Sequence, residues 1–384
     1  MNGILCGIDR ADLWLPLLRG KRICVLTHAP ATDGNYVRSA DVLTRSLHVT
    51  VLCGPEHGLD GLAGPGERVD GVSRDSSTGL PVYSLYCDGE GGSSLSDALK
   101  LADAAVCDFS DIGSRFYTYI WSMYDAMQLC AERGIPFYVL DRPNPIGGVR
   151  CEGPLLDPRF ASFVGRYPIP VRHGLTLGEA ALFFNEHITP SCELTVIPVS
   201  GWSRTQEFEE TGRAWINPSP GMPGPDCARI YTGTCFLEGT NISEGRGTTR
   251  PFEMIGAPFL DSEAVARALN SYRIAGIQAR PCRFRPAFGK YEGEVCSGIQ
   301  ILLTDRREAG CFEAGIRLLD ILRNEVREFE YGDRASHFDH LMGTDRFRLG
   351  QETADEFLVR GREESFEFRK SVEDILLYKE EAHR

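Results

Sequence analysis

Short apolar runs alternating with helical stretches dominate the first 140 residues, and no other feature constrains the fold so strongly. Arg22–Leu26 (RICVL), Val49–Cys53 (VTVLC), Pro81–Leu85 (PVYSL), Asp103–Cys107 (DAAVC) and Pro136–Leu140 (PFYVL) have the length and composition of buried strands. Tyr36–Leu47 and Phe116–Arg133 carry the apolar spacing of helices. Strands and helices in alternation build a parallel sheet with right-handed crossovers. Polar residues follow the strands directly: Thr27-His28, Glu56-His57, Asp108 with Asp111, and Asp141-Arg142. Parallel strand ends share one edge, so these residues converge on a single crevice, where open α/β sheets take their ligands. In VTVLCGPEHG the Gly54-Pro55 break delivers Glu56 and His57 just past the second strand.

A chain of 384 residues is too long for one ordinary core, so two domains are expected, at 1–165 and 166–384. The net charge of −13 argues against a nucleic-acid partner and against an acidic membrane surface. Thirteen cysteines without a CxxC pair, several inside strand-like runs, point to a reduced protein without structural zinc. The start MNGILCGIDRADLW lacks the basic and apolar regions of an export signal, and no apolar run nears the length of a membrane span. A cytoplasmic location is therefore expected.

The loop after the first strand, THAPATDGNY, has no GxGxxG, which excludes a dinucleotide fingerprint there; GPGERVDG reads as a mobile loop. The turn-dense DRPNPIGG leads into the second region. There, Thr176 and Glu179 have the spacing of a helix-capping box. WINPSPGMPGPD is a stiff Pro-rich loop, and LEGTNISEGRGTTRPFE a long polar one carrying Glu238, Glu244 and Arg246. The charged C-terminal stretch from Ala335 onward reads as helical.

Taken in order, PEHG, TGLPVYSLY, DIGSRFYTYI, VLDRPNPIGG, EGPLL, SFVGRYPIPVRHGLTLGE, NPSPGMP and EGTNISEGRGTTRPFE resemble the exo-acting β-N-acetylmuramidase family. The resemblance runs from about Gly7 to the C-terminus. It implies a Rossmann-like parallel-sheet N-terminal domain plus a second α/β domain, with the active-site cleft between them. It also implies release of N-acetylmuramic acid from the non-reducing end of peptidoglycan fragments. The family's motif residues fall on Glu56 with His57, on Asp111, Arg115 and Tyr117, and on Asp141, Arg142 and Asn144. Further along they fall on His173, Glu238, Asn241, Glu244 and Arg246. Many members carry Asn where this chain has Thr27-His28, which bears on substrate details.

Glycoside cleavage needs a proton donor and usually a second carboxylate. Glu56 is the first choice as donor, Glu152 in EGP the partner and Glu244 its rival, while Glu179 reads as a cap. His57 is either a second acid or a structural hydrogen bonder, and Asp141 holds the turn before Arg142. The lactyl carboxylate of muramic acid calls for a basic clamp, with Arg115, Arg142, Arg172 and Arg246 as candidates. NPSPGMP either closes one end of the cleft or merely connects. Two rival readings share the same sheet edge. One is a non-catalytic muropeptide sensor. The other is a phosphate-ester hydrolase holding Mg²⁺ on Asp108, Asp111 and Asp141. No cofactor and no metal is expected, because no cluster has metal-ligand spacing.

Overall fold

Arg22–Thr27 (β1) lies at the centre of the first sheet in this computed structural model, which describes residues 3–64, 66–67, 72–86 and 92–379. His48–Gly54 (β2), Ser73–Arg74 (β3), Pro81–Ser84 (β4), Ala104–Asp108 (β5), Phe137–Leu140 (β6) and Leu194–Ile197 (β7) complete it. The order is β3-β4-β2-β1-β5-β6-β7, and every pairing is parallel except that of β3 with β4. The five strands expected from sequence are all present. Their apolar residues divide between two layers, because successive side chains of a strand point to opposite faces. Cys24, Leu26, Val51 and Cys53 join Trp121 and Met127 on one face, while Ile23, Val25 and Leu52 join Trp14 and Leu43 on the other.

Two helices begin later than their apolar spacing suggests. The first runs over Ser39–Ser46 rather than from Tyr36, because Tyr36 has φ 62°, a left-handed backbone that no helix can start from. The second runs over Tyr119–Arg133, since Ser114 to Thr118 form a turn in which the Ser114 carbonyl accepts from the Tyr117 N–H (3.0 Å). β7 comes from residues beyond 165 and pairs along Phe137 to Leu140. Residues 65 and 68–71 of GPGERVDG lie outside the described residues.

A second, three-stranded antiparallel sheet follows, built from Met254–Ala257 (β8), Ile277–Phe284 (β9) and Cys296–Leu303 (β10) in the order β8-β10-β9. Helix Ser262–Ser271 packs on β9 and β10, and also on helix Cys311–Glu325. That helix in turn crosses Pro225–Thr234, where Gly233 and Gly315 meet backbone to backbone. The α/β character expected of both domains is observed. Thr176 caps helix Leu177–Asn185 through a box with Glu179, as its spacing suggested.

Candidate active site

β2 ends at Gly54, and the chain turns at once: the Pro55 carbonyl accepts from the Gly58 N–H (2.9 Å). His57 sits at φ 71° and Gly58 at φ 76°, so the turn is left-handed over two residues. A non-glycine residue held there carries local strain, which such sites store where a side chain must be aimed. The His57 ring is fixed by Nδ1, 2.7 Å from the Ala63 carbonyl oxygen. A carbonyl can only accept, so Nδ1 is the donor in this contact. Glu56 is half-buried. Its Oε2 accepts from the Thr118 hydroxyl (2.8 Å) and its Oε1 from the Gly66 N–H (3.1 Å). The carboxylate of one strand end is thus tied to the loop that follows β5.

Glu56 and His57 open onto a cleft of about 660 Å³, with Tyr117 and Thr118 beside them. Ser219, Gly221 and Met222 of the Pro-rich loop line it as well. The second half of the chain adds a charged part of the lining: Glu238, Glu244, Arg246, Lys290, Arg334, His337 and His340. Arg246 donates to Glu238 Oε1 through Nη2 (2.7 Å) and Nε (3.1 Å), and its guanidinium lies 4.9 Å from the Phe252 ring centre. Burial alone would raise the Glu238 carboxyl, but Arg246 and His337 outweigh it and hold the group down at about 2. Lys290 Nζ donates to the carbonyls of Leu237 (2.7 Å) and Ile242 (2.9 Å) and pairs with Glu244 at 3.0 Å.

Of the other residues singled out from sequence, most support the cleft from outside it. Glu152 is not brought to Glu56; it pairs with Arg172 (3.0 Å) and Arg150 (3.0 Å) beside a separate groove. Arg115 is fully buried and donates to the carbonyls of Pro154, Ile169, Leu341 and Met342, so it has no reach to a ligand. Arg142 forks onto Asp108 (Nη2 to Oδ2 2.8 Å) and also donates to the Thr32 carbonyl. Asp141 accepts from Tyr378, Thr176, Gly178 and Arg142, tying β6 to helix Leu177–Asn185; burial raises its carboxyl to about 6 against those bonds. Asn144 donates to the Leu175 carbonyl (2.9 Å), and Asn241 to that of Glu328 (2.7 Å).

Asp111 and His173 face each other under the sheet edge, Nε2 to Oδ2 4.0 Å. Burial raises the Asp111 carboxyl to about 7 and lowers the His173 imidazole to about 3. His173 Nδ1 accepts from the Leu175 N–H (3.2 Å), which leaves its proton on Nε2, pointed at Asp111. His28 is likewise buried and neutral, lowered to about 3 by burial and by Arg142, with its ring edge-on to Tyr119. The Mg²⁺ reading fails on its donors. Asp108 is taken by Arg142 and Asp141 by four donors, and among the described residues no group of three or more His, Cys, Asp or Glu could hold a metal.

Sequence reasoning missed Lys290, Arg334, His337 and His340 as cleft residues. Lys290 is isolated in FGKYEGE, with no signal around it. The other three recur at intervals of three, so one face of a helix could have been read from them.

Residues 23–226 match the family model described as the N-terminal part of exo-β-N-acetylmuramidase NamZ, and residues 229–378 match that of its C-terminal part. The peptidoglycan β-N-acetylmuramidase NamZ of Bacillus subtilis is 41% identical over 367 residues, covering 94% of this chain and 88% of the relative. Crystal structures of two DUF1343 family proteins from Bacteroides fragilis superpose closely. One has a TM-score of 0.90 at 31% identity, covering 99% of this chain and 100% of that one. The other has a TM-score of 0.77 at 30% identity, covering 98% and 99%. With both family models matched end to end and the cleft formed between the two halves they define, the chain belongs to the exo-β-N-acetylmuramidase NamZ family.

Proposed function

We propose that this chain is a glycoside hydrolase that releases N-acetylmuramic acid from the non-reducing end of peptidoglycan fragments, with Glu56 as the proton donor. One observation carries the assignment: Glu56, just past the end of β2, lines the same cleft as Glu238 and Glu244. Its Thr118 partner suits a residue that cycles between two states. A hydroxyl donates to the carboxylate and accepts from the carboxylic acid, so the contact survives proton transfer. Protonation of the leaving oxygen by Glu56 leaves positive charge on the sugar, which a second carboxylate stabilises or relieves by activating water. Glu244 takes that part in this proposal. Glu152 faces another groove, and Arg246 holds Glu238 through two hydrogen bonds, whereas Glu244 has a single close ion pair, with Lys290, and lies 3.7 Å from Arg246.

A chromogenic β-N-acetylmuraminide and the matching N-acetylglucosaminide test the assignment side by side. The muraminide is the better substrate in this reading; equal turnover of the two, or none of either, overturns it. The substrates are saccharide fragments rather than a membrane or nucleic acid, in keeping with the net charge of −13. Among the described residues no helix is long and apolar enough to cross a membrane. The described cysteines are all free thiols, most of them buried, which supports a reducing, cytoplasmic setting. Recovery of the native protein from the growth medium rather than from the cell interior overturns that placement.

A further inference from the structure

We propose that Arg334 is the residue that recognises the lactyl carboxylate and so sets the preference for muramic acid over glucosamine; the proposal rests on the glycosidase reading above. What each cation near the cleft already holds decides whether it is free to take a ligand. A guanidinium has five N–H donors in a fixed fork and binds a carboxylate best through two of them. Donors already committed inside the protein must first be released, which leaves their old partners unpaired.

By that measure the four arginines suggested from sequence are occupied. Arg115 is spent on four backbone carbonyls, and Arg142 on Asp108 and the Thr32 carbonyl. Arg172 is spent on Glu152 and the Ile146 carbonyl, and Arg246 on Glu238. Lys290 is held by two carbonyls and Glu244.

Arg334 differs in every respect. It lines the same cleft and is exposed, and among the described residues its guanidinium has no hydrogen bond and no ion pair. Its backbone is nevertheless fixed, because it closes the 3₁₀ turn Gly332–Arg334, donates its N–H to the Tyr331 carbonyl (3.0 Å), and leads directly into helix Ala335–Met342. The side chain is free on a rigid mount. Electrostatics points the same way. The Lys290 ammonium is lowered chiefly by burial, partly restored by Glu244, and lowered again by Arg334. Of these two cations Lys290 is paired with Glu244, and among the described residues Arg334 is paired with none. An anion bound at Arg334 relieves that repulsion. N-acetylmuramic acid differs from N-acetylglucosamine by the ether-linked lactyl group, whose free carboxylate supplies such an anion.

The test measures kcat and KM for the muraminide and the glucosaminide with wild type, Arg334→Ala and Arg334→Lys. Arg334 holds no internal bond, so Arg334→Ala should melt with the wild type. The expected result is a loss of roughly 10–100-fold in kcat/KM for the muraminide with Arg334→Ala, mainly through KM. The glucosaminide should stay within about twofold, since a group that touches only the lactyl arm leaves the other sugar alone. Arg334→Lys should recover part of the muraminide loss, because the charge returns without the fork. Equal losses on both substrates, or an unchanged muraminide rate, overturn the proposal. Should the wild type turn over neither sugar, the glycosidase reading has failed, and calorimetry then decides the site separately. Tighter binding of N-acetylmuramic acid than of N-acetylglucosamine, abolished in Arg334→Ala, upholds the site; equal affinities reject it.

Discussion

Among the described residues Glu56 has two hydrogen-bond partners, one hydroxyl and one backbone amide, and both contacts tolerate exchange of the acid for an amide of the same size. Glu56→Gln should therefore fold normally and lose roughly 10²–10⁴ in turnover of the natural disaccharide, the usual worth of a general acid. A nitrophenyl glycoside, whose leaving group needs little protonation, should lose much less. Steady-state rates on both substrates check this, and disaccharide cleavage near the wild-type rate removes Glu56 from the chemistry. Why Glu56 was readable in the sequence and the arginines were not is a matter of distance. The Gly-Pro break and the apolar run before it are local, so PEHG announces a side chain at a strand end. The fate of Arg115 depends on carbonyls 226 and 227 residues away, and nothing near either residue separates Arg115 from Arg334.

Elements whose signal lies in a single run were legible. Strands β1, β2, β4, β5 and β6 were visible as apolar runs, and the helix at Thr176 through its capping box. β7 was not, because LTVI is four residues long and half-buried along most of its length, so it shows neither alternation nor a continuous buried run. The crossing of Pro225–Thr234 with Cys311–Glu325 was also hidden, since the glycines that allow it are 82 positions apart. A Cβ on Gly315 would collide with the Gly233 backbone. Gly315→Ala, a change that favours an isolated helix, should here destabilise the protein by roughly 1–3 kcal/mol through overpacking. Urea unfolding with a fixed m-value measures the loss, and a variant as stable as the wild type would show that the two helices separate without cost.

Across the whole molecule, the two halves recognised by separate family models contribute one wall each to the cleft, and neither wall contains an open set of metal ligands among the described residues. Dialysis against EDTA should leave activity within about twofold of the untreated enzyme; a loss that Mg²⁺ or Zn²⁺ restores would contradict the chemistry assigned to Glu56. The division into a parallel-sheet half and a second α/β half could be read from the order of motifs, but the charged wall could not. It is assembled from Glu238 to Arg246, Lys290, and Arg334 to His340, three segments that only folding brings together. Arg115 has the last bearing on how such a cleft works. Its guanidinium joins Pro154 and Ile169 in one half to Leu341 and Met342 in the other. It acts as a rivet at the back of the jaws, and swinging them apart would strand a buried cation among emptied carbonyls. A glycan end therefore meets two walls that are already fastened to each other behind the cleft.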